Sequence, residues 1–367
     1  MCPAFGALAP PQSSCLRIRA GARTLPTAAR RANVWIVPPL IISASRRTDL
    51  PAFFAPWWMH RVREGHVLVR NPRNPNHVLD VSLRPEDVIA VVYWSRDYGR
   101  LLPNLPELDD RGLLPCFHMT LTGYGRPLEL RGPDVDTAVA QLELLAARYG
   151  PSRTVWRYDP IVLGTRHHDR FHEENFAALA QRIAPLVRSC IISFLDPYPS
   201  TRRALAALET ARIERFETPS LDQRRQLAAR LVEVGKAWNL SVLACCEADV
   251  TGVVGPARCI DPDWIGTFAS IPAGTIRMMP TRKGCGCAFA RDVGAYHTCA
   301  HGCVYCYANE SPEVGLRNAR AVDPRACHLG AGPLEARAPA SKKHAHDKQL
   351  ELGNLDVRIA YDDEETR

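Results

Sequence analysis

Short apolar, β-branched runs that each stop at a polar residue, with helix-like stretches between them, recur along this chain and restrict its architecture most. The runs are LIISASR (40–46), VIAVVYWS (88–95), PCFHMTLTG (115–123), RTVWRYDPIVL (153–163), SCIISFLDPY (189–198) and LSVLACCEAD (240–249). Amphipathic segments lie between them, among them DVDTAVAQLELLAARYG (134–150), EENFAALAQRIAPLV (173–187) and LDQRRQLAARLVEVGKAWN (221–239). Nearly continuous apolar strands alternating with helices predict an α/β fold, a parallel sheet covered by helices. Right-handed crossovers then leave an open doubly wound sheet or a barrel. No Gly-x-Gly-x-x-Gly follows the first run, and polar residues crowd the C-terminal ends of several runs, as they do on barrel rims. The expectation is a partial (βα)6-type, TIM-like barrel of parallel strands over residues 40–250, followed by a cysteine-rich, metal-binding segment over 251–310 packed on it.

The two ends read differently. Residues 1–39 are rich in Ala, Pro and Arg and lack acids, which fits a disordered or mis-started basic arm. After about residue 311 the periodicity fades, and ARAPASKKHAHDK reads as part of a mobile tail over 311–367. The formal net charge is +7; Arg17, Arg19, Arg23, Arg30 and Arg31 in the arm account for five of those charges and leave +2 for the rest. That balance gives a nucleic-acid partner no support. No run of 18 apolar residues stands ready to span a membrane.

Candidate catalytic groups sit at the ends of the predicted strands: Arg46, Arg47 and Asp49 after the first, Arg157 and Asp159 after the fourth, Glu247 after the sixth. Thr122, after the third, and Asp196, after the fifth, are candidate cofactor contacts. A parallel barrel brings such groups to one rim, where arginine forks bind carboxylate or phosphate bidentately. A salt-bridge network that only ties loops together is the other reading of the same residues.

Thirteen cysteines are present, five of them between residues 285 and 306. In a chain this long, clustering points to metal ligands in a reducing, cytoplasmic compartment rather than to disulfides. Cys299-x3-Cys303-x2-Cys306 can ligate three corners of a [4Fe–4S] cluster and leave one iron open. An open iron can chelate the amine and carboxylate of S-adenosylmethionine for reductive cleavage, radical chemistry that belongs to the cofactor. Tyr305, directly before the third cysteine, suits packing against the adenine. The alternative is a structural clasp or redox sensor: zinc on Cys285, Cys287 and two later cysteines, with His297 or His301 as substitutes, or a closed cluster. Cys259, Cys285 and Cys287 are further candidate ligands, for a second cluster or for the open iron of the first. Cys116 and Cys190 read as small core residues. Of Cys245 and Cys246, alternation points only one inward. GTRHHDRFHEE (164–174), with His167, His168 and His172, matches no ligand spacing and reads as a solvated loop and helix N-terminus.

Cys299-x3-Cys303-x-Tyr305-Cys306 resembles the cluster motif of the radical S-adenosylmethionine superfamily. That resemblance implies a partial barrel of six parallel βα units, bound S-adenosylmethionine and an external electron donor. In that superfamily the motif follows the first barrel strand; here it lies about fifty residues beyond the sixth predicted one. WRYDPI (156–161) resembles a strand end of spore photoproduct lyase and its relatives, which implies a nucleic-acid lesion as one substrate class. From about residue 41 to 309 the chain resembles the bacterial family of domain of unknown function 1848, on ISASRRTDLPAF, LVRNPRNP, FHMTLTGY, WRYDPI, ISFLDPY, CIDP and the segment from CGC to CVYCYAN. The expected activity is that of an iron–sulfur, radical S-adenosylmethionine-like enzyme acting on a substrate the sequence does not identify.

Overall fold

A computed structural model describes residues 39–74, 76–271, 276–279 and 284–330; the basic arm to residue 38 and the tail beyond 330 lie outside the described residues. The strands are β1 (Leu40–Ala44), β2 (His66–Arg70), β3 (Val78–Ser82), β4 (Val88–Ser95), β5 (Pro115–Thr120), β6 (Thr154–Ile161), β7 (Ser189–Phe194), β8 (Val242–Ala244), β9 (Gly255–Pro256) and β10 (Ala290–Asp292). Eight of them form one sheet in the order β10-β1-β4-β5-β6-β7-β8-β9, with every neighbouring pair parallel. The six predicted strands are β1 and β4 to β8, neighbours in the order predicted. The fold is the TIM-like α/β arrangement that the alternation of runs implied. Two additions come from the cysteine-rich segment, which supplies both edge strands, β9 and β10. A third is the separate antiparallel hairpin β2–β3.

Helices fill the crossovers. α1 (Leu50–Phe53) and α2 (Ala55–Glu64) follow β1, α3 (Leu105–Asp110) joins β4 to β5, and α4 (Val135–Tyr149) joins β5 to β6. α5 (Asp169–Ile183) joins β6 to β7, while α6 (Pro199–Thr210) and α7 (Leu221–Ala237) lead to β8. α8 (Pro262–Gly266) and α9 (Pro312–Arg320) belong to the C-terminal region. Side-chain caps explain several starts: Asp134 accepts from the Thr137 amide at 2.7 Å, and Ser220 from the Gln223 amide at 3.2 Å. α9 corrects the reading of residues from 311 onward as tail; Ser311 caps it and Pro312 opens it. None of the described helices is long and apolar enough to cross a membrane.

Because side chains alternate along a strand, each strand feeds two cores. Ile42, Tyr93, Phe117, Trp156, Ile192 and Val242 pack on the helix side. Ile41, Val92, Cys116, Val155 and Ile191 pack on the other, which Ala257, Trp264, Ile265 and Ala288 cover. Cys116 and Cys190 are fully buried core residues on opposite faces, as expected. The same alternation puts Ser43, Trp94, His118, Arg157, Ser193 and Cys245 on the face away from the large helices.

The histidine-rich segment is less solvated than its composition implies. His168 does cap α5, accepting from the Phe171 amide at 3.2 Å. His167, however, is buried against Glu214, with its Nδ1 2.9 Å from both carboxylate oxygens. His172 is fully buried, its Nε2 2.9 Å from the Val162 carbonyl and its Nδ1 2.9 Å from the Tyr158 hydroxyl. Burial pushes His172 down to about 4 from an ordinary 6.5. The unfolded chain therefore takes up this proton near pH 6.5 and the folded chain only near pH 4. Stability contributed by neutral His172 is complete above pH 6.5 and declines as pH falls toward 4, by at most about 1.4 kcal/mol per pH unit. Urea midpoints measured across this window are expected to fall with pH, and His172→Gln is expected to remove that share of the slope.

Candidate metal and substrate site

A cavity of about 630 Å³ opens at the C-terminal ends of the strands. Arg46, Arg47 and Asp49 reach it from β1, Trp94 and Arg96 from β4, Arg157 and Asp159 from β6, and Asp196 from beyond β7. Cys299, Cys303, Tyr305 and Cys306 line it from the loop after β10, and Cys259, Cys285 and Cys287 line it as well. The candidate ligands and most of the strand-end residues thus share one space. Thr122 and Glu247 lie outside it. Thr122 is buried; its hydroxyl donates to Glu129 and accepts from Arg96 at 3.1 Å. Glu247 turns away from the rim to accept from the Phe194 amide at 2.8 Å and to pair with Arg224.

The position of the cysteine loop follows from β10. In chain order the triplet comes after every other strand, but β10 pairs with β1, with Ile41 opposite Ala290 and Ser43 opposite Asp292. In sheet order the loop therefore leaves the strand that stands ahead of β1. Asp292, which the sequence did not mark, fastens this junction. It accepts from the hydroxyls of Ser43 and Ser45 at 2.8 and 2.6 Å and from the Arg46 amide at 2.8 Å. The guanidinium Nε atoms of Arg46 and Arg47 approach the same carboxylate at 3.9 and 4.0 Å.

Asp49 is a second fastening. One carboxylate oxygen caps α1 by accepting from the Ala52 amide at 3.0 Å, and it also accepts from the Ser95 hydroxyl at 2.6 Å. The other accepts from the Arg96 amide at 2.9 Å and lies 2.7 Å from Nε2 of His301. His301 sits between the first two cysteines of the triplet, and its Nδ1 faces the Arg131 carbonyl at 2.5 Å. Both ring nitrogens are thus occupied, so His301 is no substitute zinc ligand here. Nδ1 of His297 is likewise taken, accepting from the Glu310 amide at 3.0 Å.

Backbone pairing holds the loop from one side. Residues 128–131 run antiparallel to it: Val304 donates to the Leu128 carbonyl at 3.0 Å, Arg131 to that of His301 at 2.9 Å, and Glu129 bridges Cys303. Tyr305 packs edge-on against Tyr124, and its hydroxyl accepts from Arg96 at 2.8 Å and donates to Glu129. α9 closes the other side. A side chain at Gly315 would stand 2.3 Å from the Cys299 carbonyl, and the Asn309 amide donates to that carbonyl at 2.7 Å. Gly315→Ala should gain nearly 1 kcal/mol from helix propensity alone. We expect the clash to win, for a net loss of about 1–2 kcal/mol, because the atom met is backbone. Thermal unfolding of the variant reads the sign directly.

Electrostatically the rim is mixed. Burial works against the charge of Arg157, but Asp159 and Cys259 outweigh it and raise its pKa. Arg157 also lies over the ring of Trp94, 5.3 Å from its centroid, and Trp94 stacks on His118 at 4.1 Å. Burial pushes His118 down to about 3, and Arg157 adds to that. Burial also pushes the Cys303 thiol up to about 12, with Arg96 pulling the other way. The triplet thiols stand within electrostatic reach of one another. Among the described residues, no three His, Cys, Asp or Glu side chains already surround a single ion. A cubane asks for something else, since each cysteine binds a different iron. Three thiols on one loop, open to the cavity, are a donor set that fits it.

Cys245 and Cys246 were the residues alternation misjudged. Both line the cavity, because Cys246 has φ 57° and turns the chain out of the strand pattern. Glu129 escaped notice: it lies outside every predicted element, and its partners Arg96 and Tyr305 are remote in sequence.

A TIM-like parallel sheet whose strand-end rim gathers arginines, carboxylates and a three-cysteine loop defines the class of protein. Over residues 41–308 the chain matches the family model described as Domain of unknown function (DUF1848), and it belongs to that family. No curated protein matches the chain.

Proposed function

We propose that this protein is an iron–sulfur enzyme of the radical S-adenosylmethionine kind, with Cys299, Cys303 and Cys306 as ligands of a [4Fe–4S] cluster. The observation that carries the reading is the sheet order: the cysteine loop leaves β10, the strand ahead of β1, and faces the strand-end cavity. This is the arrangement that the resemblance of the cysteine motif implies. When bound, such a cluster supplies an open iron and the electron that cleaves S-adenosylmethionine.

The chain's own residues have clear tasks in this reading. Arg46 and Arg47 share the one carboxylate of Asp292 at long range and keep positive charge for an anionic group of cofactor or substrate. Arg96, Glu129 and Tyr305 fix the wall beside Cys303. Asp159, held by Arg157 and Ser193, offers a fixed acceptor. An external electron donor and a reducing, cytoplasmic setting follow from the same chemistry.

The test is anaerobic purification, cluster reconstitution and electron paramagnetic resonance of the reduced protein. A [4Fe–4S] signal that changes on adding S-adenosylmethionine supports the reading. A signal indifferent to S-adenosylmethionine favours a closed cluster acting as a redox sensor, and a protein that holds only zinc favours a structural clasp.

A further inference from the structure

Two thiols in the cavity wall touch. Sγ of Cys245 lies 3.1 Å from Sγ of Cys259, and 3.8 Å from that of its neighbour Cys246. Cys245 and Cys259 are free cysteines, and both line the strand-end cavity. Apolar packing accounts for Cys116 and Cys190, each buried in a core. It does not account for a thiol pair beside a guanidinium, where Arg157 donates to Cys259 Sγ at 3.2 Å.

The backbone holds the pair in place. Cys245 follows β8 and Cys259 follows β9, and these strands run parallel, with Leu243 opposite Gly255 and Ala244 opposite Pro256. The Ala257 amide donates to the Ala244 carbonyl at 2.7 Å, and the Cys245 amide to the Ile192 carbonyl at 3.0 Å. Nε2 of His118 lies 2.8 Å from the Cys259 carbonyl and secures the other segment. A disulfide bond is about 2.05 Å long, so the two sulfurs have only about 1 Å left to close. Cys246, at φ 57°, leaves the strand pattern and is the poorer partner. Arg157 gives the pair a polarity. The guanidinium hydrogen bond goes to Cys259, and a sulfur beside positive charge is the better nucleophile.

We infer that Cys245 and Cys259 form a redox-active dithiol that reduces hydrogen peroxide entering the cavity. The residues are only 7 and 5 % exposed, which admits a small oxidant through the cavity and keeps bulky ones out. The Cys259 sulfur attacks one peroxide oxygen and the O–O bond breaks. Cys259 becomes a sulfenic acid, and the hydroxide released takes the proton that the Cys259 thiol gave up and leaves as water. The Cys245 sulfur then attacks the Cys259 sulfur. The S–S bond forms, the S–O bond breaks, and the second hydroxide leaves as water with the Cys245 proton. Two thiols have lost two electrons to one peroxide, giving one disulfide and two waters. A low-molecular-weight thiol restores the pair by exchange, two thiols being oxidised to a disulfide for each turn.

The experiment treats the full chain with hydrogen peroxide, alkylates the remaining thiols and maps tryptic peptides by mass spectrometry. Cleavage after Lys236, Arg258 and Arg277 puts Cys245 and Cys246 in one peptide and Cys259 in the next. A link between residues 237–258 and 259–277 is expected at about one peroxide per chain. Dithiothreitol must reverse it, Cys246→Ser must keep it and Cys245→Ser must lose it. A wild-type chain that forms no such link, a link that survives Cys245→Ser, or a Cys259 that ends as sulfinic acid would overturn the inference. Should Cys245→Ser not fold, fragmentation of the linked wild-type peptides decides, since the cysteine left alkylated must be Cys246. The link is also expected in the Cys299→Ser, Cys303→Ser, Cys306→Ser triple variant, which lacks the proposed cluster ligands. Failure of the iron–sulfur reading and failure of this pair are therefore separable.

Discussion

Replacing Asp49 with alanine is expected to cost the fold about 3–5 kcal/mol, the range for breaking a buried, hydrogen-bonded charge, and to release the cysteine loop as well. The carboxylate is only 6 % exposed and meets four groups: the amides of Ala52 and Arg96, the Ser95 hydroxyl and the His301 ring. The Ser95 hydroxyl keeps a second acceptor in the Asp97 carbonyl at 2.8 Å, while the two amides and the His301 ring are left facing a void or admitted water. Three loops lose their common anchor together, those after β1, β4 and β10. Asp49→Asn separates the contributions. Asparagine caps a helix as well as aspartate does, so α1 keeps its start. The amide nevertheless points a donor where Arg96 or His301 also donates. An intermediate loss is expected for asparagine, with the urea midpoint of alanine well below it. If alanine and asparagine both unfold at the wild-type midpoint, Asp49 is not the anchor described.

That anchor shows what a sequence discloses and what it withholds. In TDLPAF, Asp49 caps α1 through the Ala52 amide and Pro51 stands in its first turn, although Asp49 was read only as a candidate rim residue. The other three partners of Asp49 come from residues 95, 96 and 301, and no local pattern announces them. The six apolar runs were legible because each is long enough for its hydrophobicity to stand out. β10 was not: Ala290–Asp292 is three residues, edge-placed and half polar, and it is a strand only because β1 offers a partner. Missing it made the cysteine triplet look displaced from the barrel's start. The hairpin β2–β3 did leave a trace, the alternation in HVLVR and VLDVS either side of a Pro- and Asn-rich turn. Glu247 failed as a rim residue for a different reason. A carboxylate at a strand end can face the cavity or cap a neighbouring amide, and only the position of Phe194 settles which. The cysteines were found by type and spacing, yet which of them share one cavity required the sheet that brings residues 245, 246, 259, 285 and 287 to the same rim as the triplet.

Cys303→Ala is expected to abolish the iron centre while leaving the barrel folded. In the reading proposed above, bound iron falls from about four per chain to less than about one, and the reduced protein loses its paramagnetic signal. Two physical facts separate this from general damage. The loop that carries Cys303 is held by backbone pairing with residues 128–131, by Tyr305 on Arg96 and by His301 on Asp49, none of which uses the thiol. Truncation at a half-buried position should therefore cost no more than about 1 kcal/mol. Cys116 provides the contrast, because its thiol is wholly buried in an apolar core with no part in the cavity. Cys116→Ser places a hydroxyl there at a cost of about 1–3 kcal/mol, yet it should retain full iron. Iron content then falls in the first variant alone, and the unfolding midpoint falls chiefly in the second. Protonation sharpens the test, since burial holds the Cys303 thiol up near 12 and a ligand must be a thiolate. Cluster assembly must displace that proton, so wild-type reconstitution should release acid and should go further at pH 8 than at pH 6. A Cys303→Ala protein that keeps its iron would show that these three cysteines are not the ligands, however well their loop is placed.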